Sequence, residues 1–522
     1  MRFSDFPSLQ AARAPDSPAV VFEDMRWSYG ELHRRVEACA KGLLACGIAK
    51  GDRVAMLATP RPEYAVVFLA TARIGAIWVG LNPVQQLDEY RYILSDTQPS
   101  IIFAFERLRE RDNHQILLTL KSEYPGARRF VLFDGPMEGF LPYEEFIALG
   151  HGVTDGALAE RARGVRPGDA ALIVYTSGST GKPKGAVLTQ ENIAHWTTLY
   201  RELWPRTPLK VMCNLPVTHI GCCVETLAFA LSAGGTIVFQ EHFDAAGFLA
   251  LIERERITWT PLVATMFQRI LTLPDWESFD TSSLEGVLFG GAALPIDMIG
   301  KLKRLAGTVV GCWGMTETTG ALTFTAADDS PEILSQSVGK PEPTHEVAVV
   351  NTTGEILPAG STGEVVARGP CVFAGYFNMP EATREIVDEQ GWLHSGDLGR
   401  FDAAGNLYIV GRIKDMFKSG GYNVYPREVE IAIEAHAAVS MAVVVAVPDA
   451  TYQEVGYAFI LPEPGQALSE AEIEGHCRGK LANYKVPKRF VIRPSLPMLA
   501  VGKVDKTALR TEATALAAGP RP

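Results

Sequence analysis

The sequence predicts an α/β protein with a large N-terminal part of sheet-and-helix subunits, a small β-barrel-like unit, and a smaller α+β domain at the C-terminal end. Three observations predict it. Extended and helical patterns alternate through the first 170 residues and again from 210 to 315, the pattern of parallel strands with helices on their faces. From 347 to 409 short strands alternate with Gly, Pro and Asp turns (NTTGE, PAGSTGE, RGP, DAAGN), as in an antiparallel or barrel-like unit. After Gly411 helical and extended segments mix again.

Residues 29–46 place Leu32, Val36, Leu43 and Leu44 at near-helical spacing, with Gly47 as the stop. DRVAMLA at 52–58 reads as a strand, 63–74 as a helix, and 76–81 as the next strand before Asn82–Pro83. In the last segment helices are expected at 426–435 and 469–481, and strands at 441–447 and 489–492. The domain boundary falls near Arg412–Asp415. No internal repeat is visible, and the only low-complexity tract is the Ala-rich last ten residues.

The length of 522 residues suggests three or four compact units, at roughly 150 residues per domain. Hydrophobic residues at 47% and charged residues at 21% exclude a disordered chain. A net charge of −11 disfavours sequence-independent nucleic-acid binding, which needs a basic surplus. Eight cysteines without a C-x-x-C are expected to be reduced and buried. MRFSDFPSLQ does not read as a signal peptide, and Arg73 breaks the most apolar stretch, 66–81. The terminal AAGPRP has no Ser-Lys-Leu address. A cytoplasmic protein without a transmembrane segment is expected.

The densest chemical signal is AALIVYTSGSTGKPKG at 170–185. A buried strand runs into a loop of glycines, hydroxyls and lysines, whose backbone N–H groups, O–H donors and ammoniums suit phosphate oxygens. It is not a Walker P-loop: anchored on Gly181–Lys182, that motif needs Gly at Thr176 and Ser or Thr at Pro183. G-x-G-x-x-G is absent here, and G-x-S-x-G is absent throughout. HEVAV at 345 lacks the second His of a zinc-protease motif.

With TSGSTGKPKG in place, WGMTET (313–318), HSGDLG (394–399), GRIKD (411–415) and Gly502–Lys503 follow in order, joined by LPVTHIG (215–221), GGAALP (290–295) and GYFNMPEAT (375–383). Together they resemble the adenylate-forming superfamily, in its acyl-CoA synthetase branch. The resemblance implies a 1–411 AMP-binding domain, a hinge at 412–415 and a mobile domain at 416–522. It implies ATP, Mg²⁺ and coenzyme A as cofactors and a small carboxylic acid as substrate, and it leaves a homodimer open. The acid would attack the α-phosphorus of ATP to give an acyl-adenylate and pyrophosphate; a thiol would then displace AMP.

By the same resemblance, Thr176, Ser177, Gly178, Ser179, Thr180, Gly181 and Lys184 hold the β- and γ-phosphates. Thr316 lies near the α-phosphate, and Glu317 is the magnesium ligand. Gly291 and Ala292 belong to the nucleotide site. Trp313, replacing a more usual tyrosine, stacks on adenine, as any flat π-face can. Asp397 accepts the ribose hydroxyls and Arg412 adds a ribose contact. His219 stands between the carboxylate and the acyl pocket. Lys503 bridges carboxylate and α-phosphate during adenylation, although Ala500 and Val501 stand where Thr or Ser is common. Lys414 is the hinge, and Gly420 and Gly421 let pantetheine pass close to the backbone.

The segments 215–225, 286–295 and 312–322 would wall the acyl pocket. Their only charged residues are Glu225, expected on an outer helical turn, and Glu317. A second carboxylate would be buried there without a partner. An apolar monocarboxylate is therefore expected, a medium- or long-chain fatty acid ahead of an aryl or cinnamate-type acid, the latter if Trp196 and Tyr200 close the pocket. An adenylation enzyme loading a separate carrier protein is the alternative.

Overall fold

In the computed structural model two large sheets carry the N-terminal part, and the structure describes all residues except 109, 177–182, 205–207, 292, 464, 500–503 and 519–522. A nine-stranded sheet runs in space from Lys340–Pro341 through Gly320–Phe324, Thr308–Met315, Gly286–Gly290, Trp259–Val263, Lys210–Cys213, Thr236–Phe239 and Pro18–Phe22 to Met25–Ser28. An eight-stranded sheet runs from Gly375–Tyr376 through Lys184–Thr189, Ala170–Thr176, Ile77–Leu81, Arg53–Leu57, Ile101–Ala104 and Arg129–Leu132 to Leu141–Pro142. Their interiors pair in parallel. Parallel strands are covered on both faces, so they read as unbroken apolar runs: Ile77–Leu81 and Thr236–Phe239 are buried at every position.

The helices begin and end where their sequences dictate. Tyr29–Ala45 starts on Ser28, whose hydroxyl accepts the Glu31 N–H at 3.3 Å, and it gives way to Gly47 at φ +75°. Pro62–Arg73 opens with proline in its first turn. At Gly80 the eight-stranded sheet meets the segment that follows Lys210–Cys213: a Cβ there would lie 2.7 Å from the Val217 carbonyl oxygen.

Between 346 and 412 the turn-rich segment forms a four-stranded antiparallel sheet: Glu346–Val350, Gly363–Arg368, Leu393–Phe401 and Leu407–Arg412. One apolar core joins residues from Phe3 to Leu407. From Phe417 onward two further clusters flank a five-stranded sheet, separated by the alternation of Val439–Asp449: Ala442 and Val444 face one, Val443, Val445 and Val447 the other. The helix Lys506–Ala518 runs into the Ala-rich tract and buries Leu509 and Ala513 on the second cluster.

All eight cysteines are free thiols. No helix among the described residues is long and apolar enough to cross a membrane.

Fully buried Gln190 ties the N-terminus to this frame: its Oε1 accepts the Ser4 N–H at 2.9 Å and its Nε2 donates to the Ala72 carbonyl at 3.1 Å. Gln190→Ala strands both backbone groups, at a cost of about 1–3 kcal/mol. Thermal unfolding should register this as an apparent Tm lower by about 2–6 °C.

Candidate active site

The strands Ala170–Thr176 and Lys184–Thr189 form a hairpin with Thr176 opposite Lys184. Ser177, Gly178, Ser179, Thr180 and Gly181 lie between them, outside the described residues. The short strand Gly375–Tyr376 pairs along the returning arm and brings Tyr376 alongside. The Lys184 ammonium sits 5.1 Å from the centre of the Tyr376 ring. The Tyr376 hydroxyl donates to Glu317 Oε1 at 2.7 Å. Burial pushes the Tyr376 hydroxyl pKa up and the Glu317 charge pushes it further, so Tyr376 stays a donor.

Glu317 is 5% exposed, in the turn Thr316–Thr318 that ends the strand Thr308–Met315. Thr318 Oγ1 accepts the Met315 N–H at 2.9 Å, and Thr319 takes φ +62° to turn the chain back into Gly320–Phe324. Closure of that hairpin requires Gly314, because a Cβ there would meet the Gly320 carbonyl oxygen at 2.2 Å.

On the other side of the turn, three predicted residues meet. Trp313 Nε1 donates to Asp397 Oδ2 at 2.9 Å, and Arg412 Nε donates to Asp397 Oδ1 at 2.6 Å. Antiparallel register places Asp397 directly opposite Arg412. Burial opposes the Arg412 charge, but Asp397 more than offsets it and holds the guanidinium pKa above its ordinary value. Two residues on, burial lowers the Lys414 pKa and the Arg412 charge lowers it further. Asp415 faces the terminal helix: Arg510 Nη2 lies 2.7 Å from its Oδ1 and Lys506 Nζ 3.5 Å from its Oδ2.

Gly420 and Gly421 form the tip of the hairpin Phe417–Ser419/Tyr422–Val424, at φ +60° and +87°, where side chains are disfavoured. Gly291 is likewise left-handed at φ +80°; Ala292 and Lys503 lie outside the described residues.

His219 Nδ1 accepts the Gly221 N–H at 3.0 Å and so opens the wide helical turn Gly221–Ala228. Glu225, expected on an outer turn, is the one residue of Gly221–Ala228 that is not fully buried. A Cβ on Gly221 would lie 3.6 Å from Glu225 Oε2 and 2.9 Å from His219 Nδ1, so both side chains border Gly221. The Glu225 charge adds to burial in raising the pKa values of the Cys312 thiol and the Tyr200 hydroxyl.

Sequence reasoning assigned no role to Tyr376, although GYFNMPEAT contained it. It also missed the support beneath Glu317. Phe373 N–H donates to the Glu317 carbonyl at 2.9 Å, and Thr319 Oγ1 donates to the Cys371 carbonyl at 2.6 Å. Buried His345 braces this segment, with Nδ1 at 3.2 Å from Glu342 Oε2 and Nε2 accepting the Cys371 N–H at 3.3 Å. His195 and Cys371 stand near enough to form a possible three-ligand group with it, but both His345 ring nitrogens have protein partners.

The AMP-binding enzyme profile matches residues 8–377, and the profile of that family's C-terminal domain matches 428–503. The chain belongs to the AMP-binding enzymes. It is 33% identical to an indoleacetate–CoA ligase of Aromatoleum aromaticum, over 98% of each chain. It is 32% identical to a medium/long-chain-fatty-acid–CoA ligase of Mycobacterium tuberculosis, over 95% of this chain and 88% of that one. ATP-bound MatB from Rhodopseudomonas palustris superposes with a TM-score of 0.84 at 29% identity, covering 99% of this chain and 100% of that one. This member of the adenylate-forming superfamily is thus an AMP-forming acyl-CoA ligase.

Within that family frame the Gly314 contact is directly testable. Gly314→Ala forces the Gly314 backbone away from Gly320 and Ala321, an overpacking cost of about 1–3 kcal/mol. A lowered apparent Tm should accompany it, and a Tm equal to that of the parent would show that the hairpin is looser than its contacts imply.

Proposed function

We propose that the chain activates a ring-bearing monocarboxylate as its acyl-adenylate and passes the acyl group to coenzyme A. The observation that carries this is the placement of Lys184, Tyr376 and Glu317 on one side of the Thr316 turn and Trp313, Asp397 and Arg412 on the other. In this reading the phosphates lie on the Thr176–Lys184 hairpin, Ser177 to Gly181 included, with Thr316 at the α-phosphate. The adenosine is held by Trp313 and Asp397, with Arg412 at the ribose and Gly291 and Ala292 completing the wall. A lone buried carboxylate beside a phosphate loop fits Mg²⁺, which takes one or two protein carboxylates and shares its other positions with phosphates and water. Glu317 would hold the ion, which when bound neutralises phosphate charge, and Tyr376 fixes one of the two oxygens of that carboxylate.

His219 would then separate the carboxylate from the acyl body. Lys503 supplies a cation where negative charge accumulates during attack on the α-phosphorus. The small domain, 416–522, turns about Lys414 between the half-reactions and presents Gly420 and Gly421 to the thiol.

The aromatic wall supports a ring ahead of a long alkyl chain, reversing the order expected from wall composition. Gly320, at φ +151°, abuts Trp196, whose indole would lie 2.5 Å from a Cβ there. Trp196 stacks on Tyr200 at 4.5 Å, and both are fully buried. Pyrophosphate release with octanoate, benzoate, cinnamate, malonate and phenylalanine, each with and without CoA, tests this. A ring acid should give the highest kcat/KM and require CoA for thioester formation; malonate or phenylalanine coming out best would sink the reading.

Lys503→Ala should slow adenylation by about 10²–10³-fold. Thioester formation from preformed acyl-adenylate should persist, and equal loss in both halves would contradict two separate conformations. Lys414→Pro fixes φ near −65° and removes an N–H. Adenylate should accumulate while the CoA-dependent step slows; unchanged turnover would place the hinge elsewhere.

A further inference from the structure

The chain on either side of Lys503 is closely tied, and one residue of it reaches back to the hinge. Met498 and Val504 form an antiparallel bridge, the Asp505 N–H donates to the Pro497 carbonyl at 2.8 Å, and the Lys506 N–H donates to the Val504 carbonyl at 3.1 Å. Residues 499–503 join the two sides of that bridge, so Lys503, directly before Val504, leaves from its base. Asp505 then starts the helix Lys506–Ala518, its Oδ1 accepting the Thr507 and Ala508 N–H groups at 3.0 Å each.

The first residue of this helix carries the link. Lys506 Nζ lies 3.5 Å from Asp415 Oδ2 and 3.4 Å from Glu430 Oε1. Asp415 ends the hinge turn Ile413–Asp415. Glu430 is 4% exposed in the helix Pro426–Glu434, and its Oε1 also accepts the Val444 N–H at 3.1 Å. Burial pushes the Asp415 carboxyl pKa up, but the Lys506 charge and then Arg510 outweigh it and hold it below its ordinary value. Arg510, one helical turn further on, takes the other oxygen of Asp415 at 2.7 Å. The two cations divide the task. Arg510 fastens the body of the helix to the hinge, and Lys506 fastens the end from which the Lys503 loop departs.

We infer that Lys506 is a positioning residue for adenylation: its pairing with Asp415 and Glu430 fixes the base of the 499–503 loop against the hinge and so sets the reach of Lys503. The inference rests on the role proposed above for Lys503 and adds a residue that touches neither acid nor nucleotide. Ion pairs of this length on a partly exposed lysine add little to stability, so the effect belongs in the kinetics. Glu430 keeps the Val444 N–H and Arg427 when the ammonium is removed, so no buried charge is stranded.

The full chain is tested as Lys506→Met, Lys506→Gln, Lys506→Arg and Arg510→Met, with the acid of the panel above that the parent enzyme uses best. Pyrophosphate release reports adenylation, and preformed acyl-adenylate with CoA reports thioester formation. Both neutral Lys506 variants should slow adenylation by about 10- to 100-fold and leave thioester formation within about threefold of the parent. Their apparent Tm should stay within about 3 °C of the parent. Lys506→Arg should restore adenylation to within about threefold, and Arg510→Met should show no such split between the halves. Equal loss in both halves, a loss that arginine does not restore, or the same split in Arg510→Met would each overturn the assignment. Should Lys503→Ala separate the half-reactions while the neutral Lys506 variants do not, this inference alone fails. Should Lys503→Ala slow both halves equally, the reading beneath it fails as well.

Discussion

The proposed nucleotide end of the site depends on one buried carboxylate. Asp397 uses one oxygen for the Trp313 indole and the other for the Arg412 guanidinium, so it joins three strands of two different sheets. Trp313 belongs to the nine-stranded sheet, whereas Asp397 and Arg412 face one another in the four-stranded sheet. Hydrogen bonds to an ionised partner are the strong ones, and a carboxylate this enclosed would be costly without them. The same atoms fix the indole plane and hold the last residue of Leu407–Arg412 against the large domain. In the proposed nucleotide complex the ribose hydroxyls would enter a centre already ordered by these two bonds.

The proposed acyl side is built by close approach. Gly314, Gly320 and Gly221 each stand where a Cβ would collide, with Gly320, Trp196 and Leu215 respectively. In the proposed pocket backbone would therefore line the walls nearest the reacting atoms, with bulk supplied from the next layer by Trp196 and Tyr200. A wall made this way has a fixed depth, because fully buried stacked aromatics have no space to swing into. Selectivity would then be set by what the second layer presents, Trp196 and Tyr200, more than by the apolar composition of the segments.

Much of the fold was legible because local signals and long-range packing agree. The helices at 29–46 and 63–74 and the strands between them have their caps and apolar spacing in register with the burial observed. The burial of Leu509 and Ala513 was not legible, because it comes through packing on a distant strand that no local pattern announces. Tyr376 and the His345 brace were invisible as roles, since each acts on Glu317 from across the chain. The nucleotide motifs were legible because phosphate chemistry constrains contiguous residues.

The connection between the two domains is where this leads. Arg412 is bound to the large domain through Asp397, and Asp415 is bound to the terminal helix of the small domain through Arg510 and Lys506. Between these two anchors stand Ile413, 42% exposed, and Lys414. A rotation taken up at these two residues leaves both anchoring ion pairs intact. One taken up before Arg412 strains its bond to Asp397, and one taken up after Asp415 strains the bonds to Lys506 and Arg510. In the proposed rotation of the small domain the ion pairs thus leave the turn to these two residues.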